Sequence, residues 1–412
     1  MKTYNSGLAA LADGAILSPF TRLNRLLEGI EPGHANPIIM TAGDPNEKMP
    51  GFVIDKMKEA EASMSSYPTI RGTDELRGAI AQWINRRYRM PDGITATREI
   101  LPTNGSREGL FFAALPAVGR KLLTARDPQS RPAILMPNPF YQAYLGGAYG
   151  TNAEPVFLNG TKETGYMPDL DALEKDIALL ERTAAFYLCS PSNPQGATCT
   201  PAYIERALAL ARKYDFLLFF DECYSEIYNG DTAPVGGLEV AIKTPERFKN
   251  LVVFNSLSKR SNLPGLRSGF AAGDGDFLET MAEIRNLTAP QIPGPIQHAS
   301  AAVWSEEQHV AVIRQAYRAK FDVCDQLLKG RFDYSRPPGG FFLWLNMSHL
   351  GGGRDASVTL WQRVGVKVVP GAFLAAEDAQ GVNPGTDYIR VALVHDVATI
   401  REALERIVRV EA

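Results

Sequence analysis

Between residues 132 and 273 short apolar runs alternate with longer amphipathic stretches. The runs 133–136, 184–188, 216–220, 251–254 and 269–272 hold almost no charged side chains. Runs so short and so continuously apolar, bounded by turn residues, read as parallel strands buried on both faces. Residues 169–182 and 201–213 carry helical spacing between them. The alternation predicts an α/β fold, a mostly parallel sheet with helices on both sides. A helix over 74–89 should start at Thr73, whose hydroxyl can cap the first turn. Beyond about residue 290 the pattern changes to a long helix, a turn at 337–340 and short strands at 341–345 and 388–393. That shift predicts a large domain over 55–290 and a smaller α+β domain from 1–54 and 291–412.

Composition narrows the function classes. The chain has 412 residues, ample for a sizeable core, with 45% hydrophobic and 22% charged residues and a formal net charge of -3. That balance offers neither the basic footprint of a nucleic-acid partner nor a polybasic membrane patch. No run approaches the roughly 18 apolar residues of a membrane span. Residues 1–5 lack the apolar region of a secretory signal. The four cysteines show no Cys-x-x-Cys spacing and read as reduced thiols, which points to the cytoplasm. The five histidines have no metal-ligand spacing, so no metal site is expected.

Candidate chemistry collects where the expected strands end. Lys259 follows the run 251–254 in Ser256-Leu257-Ser258-Lys259; taken alone it reads first as a surface lysine. Ser-x-x-Lys also matches a penicillin-binding motif, whose Ser-Asp-Asn and Lys-Thr-Gly partners are missing here. Asp221 closes the run 216–220 in Asp221-Glu222-Cys223-Tyr224, and a buried carboxylate stays ionised only when partnered. The alternative is a strand-end aspartate capping a loop. Gly105-Ser106-Arg107 opens a helical run, where unpaired N–H groups and the helix dipole favour an anion; equally it is a helix cap. Asn193 lies in the Pro/Gly-rich segment 190–196, which by itself reads as a rigid turn, and Tyr141, in Asn138-Pro139-Phe140-Tyr141, could stack on a flat ring, though an aromatic here is more often core.

In order and spacing these segments resemble the aspartate-aminotransferase family, the fold-type-I pyridoxal-phosphate enzymes. The match runs from Thr41-Ala42-Gly43-Asp44-Pro45 to Tyr388-Ile389-Arg390-Val391, most specifically at Ser256-x-x-Lys259 followed by Arg267 in 264–269. The resemblance implies a seven-stranded, mostly parallel sheet sandwiched by helices, with a smaller α+β domain. It implies that Lys259 carries pyridoxal 5'-phosphate as a Schiff base and moves the substrate proton. Asp221 would pair with the pyridinium, while Tyr224 and Asn193 hold the ring oxygen. Ser256, Arg267 and the Gly105-Ser106-Arg107 turn would bind the phosphate. Tyr141 would stack on the ring, where many relatives have tryptophan. Arg390 would clamp the substrate α-carboxylate, with Gly43 letting the backbone approach it. Tyr67 would reach the neighbouring subunit's phosphate, implying a homodimer with shared sites.

The expected substrates are small amino and oxo acids. The wording of 101–108, 137–141 and 256–267 is similar to bacterial succinyldiaminopimelate aminotransferases, which implies L-glutamate as donor and N-succinyl-2-amino-6-oxopimelate as acceptor in the lysine pathway. Aspartate or other amino-acid transamination, and carbon–sulfur lyase chemistry on the same cofactor, are the alternatives. A transcription regulator with an aminotransferase-like half needs a DNA-binding domain first, and only about forty residues precede Gly43. For a distal substrate carboxylate the candidates are Arg71, Arg107, Arg260 and Arg285.

Overall fold

The computed structural model describes residues 7–14, 16–90, 93–124, 130–288 and 291–411. Residues 1–5, read above for a secretory signal, and the domain boundary at 290 lie outside them. Seven strands form the main sheet: β1 (Ile100–Thr103), β2 (Ala133–Asn138), β3 (Glu154–Asn159), β4 (Thr183–Cys189), β5 (Leu217–Asp221), β6 (Leu251–Ser256) and β7 (Gly269–Gly273). Their order is β1-β7-β6-β5-β4-β2-β3. The five strands from β6 to β3 run parallel. All five apolar runs are therefore strands, but 269–272 is not parallel to its neighbours. β7 is antiparallel to both β6 and β1. Between β6 and β7 the chain makes only two short helical turns, Leu257–Arg260 and Pro264–Leu266, at the carboxyl end of β6. Without a crossover back along the sheet it must re-enter from the same end.

Alternating side chains of the strands build two cores, one on each face. In β5, Phe220 joins Trp83, Phe186 and Trp304 on one side, while Phe219 joins Tyr144, Tyr187 and Phe254 on the other. Helix α1 (Asp74–Tyr88) begins as expected, with the Thr73 hydroxyl accepting from the Leu76 amide at 3.2 Å. Helix α2 (Ser106–Thr124) covers the opposite face. The stretch 169–182 is two helices, Leu170–Leu173 and Ile177–Arg182. Asp176 breaks it, since its carboxylate accepts from the Leu179 amide at 3.0 Å and starts a second helix.

Helix α3 (Gly294–Ser305) sends Ala299, Val303 and Trp304 into the core beside Trp83, although its sequence position follows residue 290. A separate core, including Met40, Phe321, Leu343, Ile389, Val391 and Leu404, lies under a second sheet. That sheet contains β8 (Phe342–Asn346), β9 (Val369–Pro370) and β10 (Tyr388–Ala392), antiparallel in the order β9-β10-β8. Among the described residues no helix is long and apolar enough to cross a membrane.

Candidate active site

Parallel strands bring their carboxyl ends to one edge of the sheet, and the loops leaving β4, β5 and β6 meet there. Asp221, the last residue of β5, is 4% exposed. Its Oδ2 accepts from the Tyr144 hydroxyl at 2.7 Å and its Oδ1 from the Cys223 amide at 3.1 Å. Burial raises its pKa, and these hydrogen bonds oppose the rise.

Lys259 sits in the turn after β6, with Nζ donating to the Gly43 carbonyl and lying 5.3 Å from the centre of the Phe341 ring. Burial lowers the amine to about 8; nearby Asp44 opposes this, while Arg390 and Arg107 add to it. An amine that loses its proton near neutrality can act as nucleophile and base.

An anion cradle includes Arg107, whose charge reaches Lys259. Gly105 has φ +79°, a backbone conformation that favours glycine, and a Cβ there would crowd the Arg267 guanidinium, 2.6 Å from Nη2. Ser106 then opens the 19-residue α2, whose first turn leaves amide donors free for an anion. The Ser106 hydroxyl is 2.9 Å from Cys223 Sγ, and that sulfur is 4.0 Å from Ser256 Oγ. Arg267, held in the left-handed region at φ +57°, donates to the carbonyls of Pro264 at 2.8 Å and Asn104 at 3.0 Å. Arg107 donates through Nε to the Tyr141 hydroxyl, its guanidinium 5.3 Å from the ring centre.

Arg390, which also acts on Lys259, forms a guanidinium wall. Arg390 in β10 is 4% exposed; Nη1 donates to Asn193 Oδ1 at 3.2 Å and Nη2 to the Thr41 carbonyl at 2.8 Å. Its Nε is buried without a hydrogen-bond partner among the described residues. Burial lowers Arg390 to about 10, with Tyr224 opposing. Its guanidinium is 4.4 Å from the Phe342 ring centre, and Tyr224 packs edge-on against Phe341 and Phe342. A Cβ on Gly43 would come 3.0 Å from Phe342, so the backbone there runs close under the wall.

Tyr67 is 96% exposed and does not join this cluster within the single chain. Of the arginines considered for a distal carboxylate, Arg285 is buried against Glu108 and the Pro102 carbonyl. Arg260 is buried against Glu307, and Arg71 pairs with Glu279. Arg107 is the candidate whose charge reaches Lys259. Sequence reasoning missed Tyr144, Cys223, Asp44, Phe341 and Phe342. Tyr144 had a legible signal, lying three residues after Tyr141 and so on the same side of a helical turn.

The residues fit pyridoxal phosphate. The glycine-cleared cradle suits its phosphate, buried Asp221 offers the ring nitrogen a counter-charge, and Lys259 supplies a buried amine. Among the described residues no His/Cys/Asp/Glu cluster could hold a metal ion. A family model described as "Aminotransferase class I and II" matches residues 35–407. The chain is 28% identical over 391 residues to an LL-diaminopimelate aminotransferase of Syntrophobacter fumaroxidans, covering 94% of each. It is 29% identical over 402 residues to that of Moorella thermoacetica, covering 95% of each. Its structure matches an aminotransferase from Neisseria meningitidis Z2491 with a TM-score of 0.89 at 36% identity, over 96% of this chain and 98% of that one. The chain belongs to the class I and II aminotransferases, a family dependent on pyridoxal phosphate.

Proposed function

We propose that the protein transfers the amino group of L-glutamate to an oxo acid in diaminopimelate synthesis, with N-succinyl-2-amino-6-oxopimelate as acceptor. The observation that carries the transamination reading is the buried guanidinium of Arg390 within electrostatic reach of the Lys259 amine. Such a pair presents a carboxylate clamp beside a base, as an α-amino acid requires. Pyridoxal phosphate, when bound, supplies an aldehyde carbon and an electron-withdrawing ring that stabilises negative charge at the substrate Cα.

The protein's own residues do the rest. Arg390 and Asn193 hold the α-carboxylate. Lys259 Nζ would take the proton from the substrate Cα and hold it for return. Asp221 balances the ring nitrogen's charge, and Tyr224 and Asn193 lie at the ring oxygen. Tyr141 stacks on the ring. Gly105, Ser106, Arg107, Ser256 and Arg267 hold the phosphate. Phe341 and Phe342 keep water from the reacting face. Tyr67, exposed in the single chain, reaches a second copy's site in a homodimer. The proposed domains are 55–290 and 1–54 with 291–412, except that α3 packs into the core of the larger one, and the proposed compartment is the cytoplasm.

A second acceptor, the oxo form of LL-diaminopimelate, is favoured by the names of the 28–29% identical relatives. Either substrate carries a distal carboxylate, which Arg107 can meet only where Arg267 and the Gly105-Ser106 turn suffice for the phosphate. A panel of oxo acids with glutamate as donor tests the proposal. The succinylated acceptor should show the highest kcat/KM, because a site built around its distal polar groups rejects analogues that leave them unpaired. A preference for tetrahydrodipicolinate, the cyclised oxo form, would move the assignment to LL-diaminopimelate. Oxaloacetate as best acceptor would remove the protein from that route, and pyruvate release without an oxo acid would make it a lyase.

A further inference from the structure

Asp221 accepts two hydrogen bonds, and both donors are neutral. The amide of Cys223 comes with the loop itself. The hydroxyl of Tyr144 comes from elsewhere, on the helix Gln142–Gly150. Burial and the neighbouring carboxylate push that phenol well above its ordinary value, so it keeps its proton and donates. The Tyr144 ring is fully buried and stacks on Tyr187, with centroids 4.5 Å apart and planes 13° apart. Tyr187 in turn donates its hydroxyl to the Leu110 carbonyl at 2.7 Å. Leu110 lies in α2, about one turn beyond Ser106. Close packing fixes the path, since a Cβ on Gly147 would come 2.9 Å from the Ala114 side chain of α2. A single run of contacts thus joins the carboxylate at one end of the site to the helix that begins at the anion cradle.

We propose that Tyr144 is a positioning residue: its hydroxyl holds Asp221 against the ring nitrogen of pyridoxal phosphate, and its stack on Tyr187 sets that carboxylate relative to the phosphate-binding helix. This rests on Asp221 being the partner of the ring nitrogen. A tyrosine present only to fill the core would contribute to binding whether or not the ligand had a ring nitrogen. A positioning tyrosine contributes only when the nitrogen is there.

The test uses cofactor-free wild type, Tyr144→Phe and Asp221→Asn, each titrated with pyridoxal phosphate and with its 1-deaza analogue, in which CH replaces the ring nitrogen. Tyr144→Phe keeps the stacked ring and should weaken pyridoxal phosphate about tenfold while changing the analogue less than about twofold. Without the phenol the carboxylate takes up a proton at higher pH, so the variant's preference for the nitrogen should fade at a higher pH than in the wild type. Tyr187→Phe keeps both rings but cuts the tether to Leu110. It should give a smaller loss of the same nitrogen-dependent kind. Equal losses for both ligands, or no loss for either, overturn the proposal. If Asp221→Asn abolishes the preference and Tyr144→Phe keeps it, the role of Tyr144 alone fails. If Asp221→Asn keeps it, the assignment of Asp221 fails and takes this one with it.

Discussion

Arg260 and Arg390 are both almost fully buried, 1% and 4% exposed, yet the regions around them are built differently. Arg260 lies beside the packed rings of Trp83 and Trp304 and donates to Glu307, to the carbonyls of Val303 and Glu306, and to Ser261. Its charge is answered inside the chain. Arg390 donates to one carbonyl and one amide oxygen, both neutral. Asp221 shows the same pattern with the sign reversed, a buried anion met by a phenol and an amide. A buried charge without a counter-charge costs stability, and a ligand that supplied the missing partner would offset that cost. What separates the two regions is therefore the counter-charge, since both are deeply buried.

Removing the group that bonds to the ligand should have the largest effect. Lys259→Ala should abolish transamination while still binding pyridoxal phosphate, and borohydride should fix pyridoxal to Lys259 in the wild type; near wild-type turnover in the variant would refute its role. Because burial lowers the amine to about 8, the rate at which cofactor-free protein captures the aldehyde should rise with pH and level off above about 8. The same amine binds its proton less tightly folded than unfolded. Its contribution to stability should therefore rise between about pH 8 and the ordinary lysine value near 10.4, visible as a difference from Lys259→Met.

The two arginines supply the next test, a double dissociation. Arg390→Met should lower kcat/KM in both half-reactions by about a hundredfold or more, for loss of a charge-assisted fork worth roughly 3 kcal/mol, with little cost in Tm. Arg260→Met should do the reverse. It should keep KM for the amino donor while costing about 1–3 kcal/mol, below the figure for a fully buried pair because Glu307 is partly exposed. If both variants lose only stability, Arg390 is no substrate clamp.

Asp221→Ala should slow removal of the Cα proton by at least about tenfold, as loss of about 1.4 kcal/mol of stabilisation requires. Unchanged single-turnover kinetics would reduce Asp221 to a loop cap. The smallest effect should come from an ion pair at the surface. His298 is hydrogen-bonded to Glu75 and Glu59, which raise its pKa. A raised histidine contributes stability below its unfolded value near 6.5 and loses it as pH rises through the folded value. His298→Gln should therefore lower Tm at pH 5.5 by no more than about 2 °C and leave it unchanged at pH 8.5. A large drop at both values would mean that packing, and not charge, holds His298.

Where a local signal and the tertiary outcome agreed, the sequence was enough. The five apolar runs are strands because residues as uniformly apolar as those of 216–220 have only a two-sided burial available to them. Thr73 is a cap because the first turn of any helix needs an acceptor for its amides. Gly105 and Lys259 became legible only through the order and spacing of the family resemblance, because a glycine before a helix and a lysine in a turn are ordinary features on their own. The direction of β7 was not legible, since apolar residues specify burial but not which way a strand runs.

The sequence by itself determined the α/β class, the strand ends and the residue types available for pyridoxal-phosphate chemistry, because these follow from local burial and local backbone preference. Only the tertiary structure decided which charges face a neutral wall and which are already paired. Arg260, Arg285 and Arg390 look alike along the chain, and Glu307, Glu108 and Asn193 stand 47, 177 and 197 residues away from them respectively. Coulomb and hydrogen-bond energies depend on distances of a few ångströms, and chain separation does not encode them until the cores have packed.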